Sequence, residues 1–67
     1  MKGFDKFTKR ENDVLQHLVQ GEPNKIIAQE LGIVLVTVKM HVARMMMKTG
    51  CKNRVDLAVN AVRREYD

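Results

Sequence analysis

Apolar positions recur along this chain at helical intervals in all but one stretch. Val14, Leu15, Leu18 and Val19 fall at i, i+1, i+4 and i+5, the stripe of an amphipathic helix. Just before them, Thr8-Lys9-Arg10-Glu11 has the form of a capping box. Gly21 stands where a left-handed residue ends a helix, so the spacing predicts a first helix over about 8–20. Pro23 suits a first helical turn, where its missing N–H costs nothing. Ile26, Ile27 and Leu31 supply the next apolar face, with Ala28 small enough for close packing, and Gly32 closes a helix of about 23–31. Asn53 is a candidate N-cap for a last helix of about 53–64. That helix carries Val55, Leu57, Ala58, Ala61 and Val62 and stops in the charged tail Arg63-Arg64-Glu65-Tyr66-Asp67.

The exception is Ile33-Val34-Leu35-Val36-Thr37-Val38, a β-branched and apolar run whose propensity is that of a strand. A lone strand leaves its backbone groups unpaired, and nothing else in the chain alternates with period two. From Val38 onward, Val38, Val42, Met45 and Met46 recur at i, i+4, i+7 and i+8. The spacing therefore predicts a helix over about 35–49, with Ile33 a core residue in a tight turn. Met45, Met46 and Cys51 are expected in the core, and Met47 points outward. The fold class expected is all-α with four helices, residues 1–6 being a flexible lead-in to a domain of 7–67.

At 67 residues the chain is one small domain, whose core supplies about 3–5 kcal/mol of net stability. Cys51 is its only cysteine, which excludes an internal disulfide and suits a reducing compartment. One Cys and two His (His17, His41) cannot build a zinc finger, so no metal and no cofactor are expected. The opening MKGFDKFTKR holds no apolar signal region, and no apolar run approaches the roughly 20 residues of a membrane span. A soluble, cytoplasmic protein with no membrane partner is expected. No Ser/His/Asp or Cys/His constellation and no phosphate-cradling glycine loop is evident, so no catalytic residue is assigned.

Charge adds a direction. The net charge is +4, but residues 39–54 hold Lys39, Arg44, Lys48, Lys52 and Arg54 and no acid, a local +5. The rest of the chain, with seven basic and eight acidic residues, is near neutral. A basic sector on a small domain favours a polyanionic partner, nucleic acid before membrane.

A short helix, a turn after Gly32 and a second helix with polar residues on its outer face make a helix-turn-helix. Phe7-Thr8-x-Arg10-Glu11-x-x-Val14-Leu15, Gly21-x-x-Asn24-Lys25-x-Ile27-Ala28-x-x-Leu31, Thr37-Val38-Lys39-x-His41, Lys48-x-Gly50 and Asn53-Arg54 follow in order. In these residues, over about 7–62, the chain resembles the LuxR/NarL/FixJ/GerE class of DNA-binding domains. The resemblance implies a transcriptional regulator that binds double-stranded DNA sequence-specifically, with the third helix in the major groove and the fourth forming a homodimer contact. Such domains serve as output modules of two-component response regulators or quorum-sensing receptors, or act alone as small regulators. A contact with RNA polymerase is a further partner the resemblance allows.

On that resemblance Lys39, Met40 and Ala43 face base edges, Lys39 suited to guanine O6 and N7 and the other two to thymine methyls. Thr37, at the start of helix three, and Asn24 and Lys25, opening helix two, are candidate phosphate contacts. His41, Arg44, Lys48 and Lys52 would flank the groove or add sequence-independent attraction. Glu11 and Arg54 are read as structural, an ion pair between helices one and four. Leu57, Ala58, Ala61 and Val62 are the expected dimer surface, the alternative being that the core takes them all.

Two departures stand out. The position before helix three is usually a Ser N-cap followed by polar residues in this class; here it is Val34-Leu35-Val36. Losing the cap costs about 1 kcal/mol. Ala43 occupies a position often basic or polar in relatives. An alternative function follows from the first departure: the fold used as a protein–protein interaction module through Val34-Leu35-Val36.

Overall fold

The computed structural model describes residues 3–64. Its helices are α1 (Lys9–Val19), α2 (Asn24–Leu31), α3 (Leu35–Thr49) and α4 (Arg54–Arg63), with no strand among the described residues. Side-chain caps set the starts of α1 and α4. The capping box at α1 is complete: Glu11 N–H donates to Thr8 Oγ1 at 3.1 Å and Thr8 N–H to Glu11 Oε1 at 2.9 Å. At α4, Asn53 Oδ1 accepts from Asp56 N–H at 2.8 Å. Pro23 lies one position earlier than expected, as the extended N-cap of α2, its carbonyl accepting from Ile26 and Ile27 N–H.

The stretch with strand propensity is helical from Leu35. Val34 is the N-cap and offers no side-chain acceptor, as its identity foretold. Packing overrides propensity here, because a helix buries Val38, Val42 and Met45 together on one face. Between α2 and α3 the chain bends by 110°. Gly32, at φ +66°, takes the left-handed conformation that ends α2, and Ile33 N–H reaches back to Ala28 O at 3.0 Å. A short helix, a three-residue break and a helix at this angle are a helix-turn-helix.

The core draws on every helix: Val14, Leu15 and Leu18 of α1, Ile27 and Ala28 of α2, Val38, Val42 and Met45 of α3, Leu57 and Ala61 of α4. Met46 and Cys51 pack against it half-buried, and Ile33 joins them from the turn. Ile26, expected on the apolar face of α2, is exposed instead.

The expected flexible lead-in does not hold for residues 3–6. Phe4–Lys6 form a 3₁₀ turn that packs against α3, and Phe4 is only 4% exposed. The Phe4 ring lies 5.1 Å from that of Phe7, and the Arg64 guanidinium stands 4.7 Å from the Phe4 centroid. Gly3 makes the approach feasible: at φ +89°, a Cβ there would sit 2.0 Å from the Lys48 carbonyl oxygen. In a core this small one more phenyl ring is a large increment of buried apolar area, which is why the folded unit reaches back to Gly3. Residues 1–2 of that lead-in, and 65–67 of the tail, lie outside the described residues.

Candidate nucleic-acid interface

Helix α3 is apolar on two sides. Opposite its buried stripe, Val36, Met40, Ala43 and Met47 recur at i, i+4, i+7 and i+11, all exposed. Val36 is 70% exposed and Met47 83%. Lys39 and Arg44 flank this outer stripe, one on each side, also exposed. The three residues assigned to base edges, Lys39, Met40 and Ala43, thus share one solvent-facing surface. Val34, 64% exposed, and Leu35 extend it toward the helix start.

Lys25, in the first turn of α2, and Lys52, before α4, are exposed as well. Among the described residues none of Lys25, Lys39, Arg44 and Lys52 takes part in an ion pair. Thr37 is half-buried in the first turn of α3, whose N-terminus no side chain caps. Uncapped N–H groups at a helix start favour a negative group nearby.

Other assigned residues are engaged inside the fold. Lys48, expected to flank DNA, donates to Glu11 Oε1 at 2.6 Å and to the Lys6 carbonyl at 3.1 Å. Asn24, a candidate phosphate contact, accepts from the Arg54 guanidinium through Oδ1, leaving only its amide N–H groups to donate outward. His41 is half-buried, not on the outer stripe, and its Nδ1 is buried without a hydrogen-bond partner among the described residues.

Glu11 and Arg54 are both engaged inside the fold, but not in the expected ion pair with each other. Arg54 bridges Asn24 and the Glu22 carbonyl, the latter at 2.5 Å, tying α4 to the α1–α2 turn. Glu22 also meets His17 Nδ1 at 3.2 Å. Glu11 is 1% exposed and pairs with Lys48 across to α3. Burial pushes its carboxyl pKa up, but the Lys48 and Thr8 hydrogen bonds, with the charges of Lys48 and His41, outweigh that and hold it below the ordinary 4.5.

The expected dimer surface is divided. Leu57 and Ala61 are buried in the core and Ala58 packs half-buried against it, so these three have little left to offer a partner. The helix turned by one position instead: Val55, Val59 and Val62, at i, i+4 and i+7, form the exposed stripe of α4. Val62 alone was expected on it. Val36 and Met47 were expected to be exposed; what sequence reasoning missed is that they continue the line of Met40 and Ala43, although the i, i+4, i+7, i+11 spacing is legible as a second helical stripe.

A family model for bacterial regulatory proteins of the luxR family matches residues 5–61. The chain belongs to the luxR family. Among its luxR relatives, the nitrate/nitrite response regulator NarL of Escherichia coli K12 is 47% identical over 58 residues, 87% of this chain and 27% of that protein. The transcriptional regulatory protein UhpA of the same organism is 46% identical over 63 residues, 94% of this chain and 30% of its own length. The spore germination protein GerE of Bacillus subtilis is 43% identical over 56 residues, 84% of this chain and 76% of GerE. The chain thus spans under a third of the response regulators and three quarters of GerE. It is a luxR-type helix-turn-helix domain, and no single helix among the described residues is long and apolar enough to cross a membrane.

Proposed function

We propose that this domain binds double-stranded DNA sequence-specifically as the DNA-reading part of a transcriptional regulator, with α3 in the major groove. The observation that carries the reading is the outer face of α3. It leaves Lys39, Met40, Ala43 and Arg44 exposed, and it leaves both cations unpaired within the described residues. In that setting Lys25, Lys52 and Thr37 contact phosphate and position the domain, while α3 discriminates bases. A DNA target implies the cytoplasm as the place of action, and no catalytic step is assigned. The likeness to NarL and UhpA supports an output module of a response regulator, that to GerE a regulator of little more than this size.

A homodimer on paired half-sites is part of the same proposal, now with Val55, Val59 and Val62 as the contact. The test is a fluorescence-anisotropy titration of mixed-sequence duplex at about 50 and about 200 mM salt. Affinity that falls steeply with salt and is weakened by Lys39→Ala supports the reading. Absence of binding at both salts would sink it. The second reading, a protein-interaction module, would then take its place, favoured by the exposed Val34-Leu35-Val36 lip.

A further inference from the structure

The outer face of α3 is poor in hydrogen-bonding groups. Between Leu35 and Met47 the exposed side chains are Leu35, Val36, Lys39, Met40, Ala43, Arg44 and Met47, and only Lys39 and Arg44 can donate. Neither can accept, and the thioethers of Met40 and Met47 accept only weakly, so no strong acceptor on this face can take a hydrogen bond from adenine N6 or cytosine N4. At the centre of the face Val36, Met40 and Ala43 stand in line over eight residues, about 10 Å of helix, the length of about three base-pair steps. In the major groove the apolar feature available to such a line is the C5-methyl group of thymine. Charge selects the occupant: residues 31–55 contain no Asp or Glu, and Lys39 and Arg44 border the line on both sides. An apolar strip rimmed by cations on a helix set at 110° to its neighbour fits a methyl-lined groove between two phosphate chains.

Resting on the DNA-binding reading above, we propose that this domain reads its operator mainly through pyrimidine C5-methyl groups, gripped by Val36, Met40 and Ala43. Lys39 then supplies the one hydrogen-bonded base contact, to guanine. The strip does not recognise the pyrimidine ring itself. It recognises the methyl, so 5-methylcytosine satisfies it as thymine does and uracil does not.

The test starts from a pool of random 20-base-pair duplexes (a length of about two major-groove turns), enriched on the full chain at low salt. The selected duplex is then remade with deoxyuridine for thymine, one position at a time. At two or three adjacent positions the exchange is expected to weaken binding about fourfold per methyl lost, and elsewhere not at all. With Met40→Ala the penalty at one of those positions disappears, while the salt dependence is unchanged. In the converse arm, replacing that uracil·adenine pair by 5-methylcytosine·guanine restores more affinity than replacing it by cytosine·guanine. Duplexes that bind equally well with uracil throughout would overturn methyl reading and leave DNA binding intact. A pool that never enriches would overturn both, and would turn the apolar face toward a protein partner.

Discussion

Lys48 of α3 and Glu11 of α1, far apart in sequence, meet at 2.6 Å, with the ammonium donating as well to the Lys6 carbonyl. One side chain thus joins α3, α1 and the N-terminal turn. Glu11 is at once the second half of the α1 capping box, so its carboxylate serves two helices. Replacing Lys48 by Met leaves that buried carboxylate without its cation. Because Lys48 is itself 30% exposed, the cost should fall below the roughly 3–5 kcal/mol of a fully buried pair, at about 2–3 kcal/mol. Urea unfolding of the variant against the parent measures it; a loss under about 0.5 kcal/mol would mean the pair is no stronger than a surface one.

The pH dependence follows from the same carboxylate. Its folded-state pKa is lowered, so in acid the unfolded chain takes up the proton first. The stability it contributes is present above about 4.5 and is lost as pH falls from there through the lower folded value. Glu11→Gln, lacking the titration, should show a flatter fall in urea midpoint over that range, with the Lys48 ammonium left unopposed. Equal slopes in the two proteins would remove Glu11 from the account.

Lys25 and Lys48 make an informative pair on DNA. Lys25 is free and exposed, and Lys25→Ala should lower the steepness of log K against log salt by about one. Lys48→Ala, assayed where it is folded, should leave the slope as it is. A matching loss of slope in both would return Lys48 to the phosphate backbone.

On α4 the two apolar faces should separate cleanly. Leu57→Ala empties a fully buried site and should cost about 2–5 kcal/mol. Val59→Asp, on the exposed stripe, should leave the monomer's stability within about 0.5 kcal/mol while abolishing self-association on DNA. Sedimentation of each variant with a paired-site duplex reads the stoichiometry; a two-to-one complex that persists in Val59→Asp places the dimer contact elsewhere.

The helices were legible because their punctuation is chemical: Thr8 with Glu11, Gly21, Gly32 and Asn53 all act where the spacing of apolar residues starts or stops. Even the β-branched start of α3 yielded once the stripe from Val38 was set against the absence of any partner strand. Long-range polar pairing was not legible. Nothing local says that Glu11 would find Lys48 and not Arg54, because that choice depends on how the helices cross, and several cations were equally near in composition. Phe4 was missed for a different reason: two aromatics in a short charged segment are too few to mark a period. The exposed apolar stripe of α4 was not legible either, since α4 has apolar residues on two faces and sequence alone does not say which one the core takes.

Helix α3 shares that ambiguity, and the consequence concerns uniqueness more than stability. Rolled half a turn about its axis, it would bury Val36, Met40 and Met47 in place of Val38, Val42 and Met45. Hydrophobicity separates those two settings poorly. What separates them is that the rolled setting would drive Lys39 and Arg44 inward and pull Lys48 off Glu11. The ion pair and the cations therefore act as a registration device, choosing which of two apolar faces the core takes. In the double variant Glu11→Leu, Lys48→Leu the chain should remain as stable as the parent, yet amide NMR signals of α3 should broaden or double as both settings become populated. A single sharp set would show that shape alone fixes the helix.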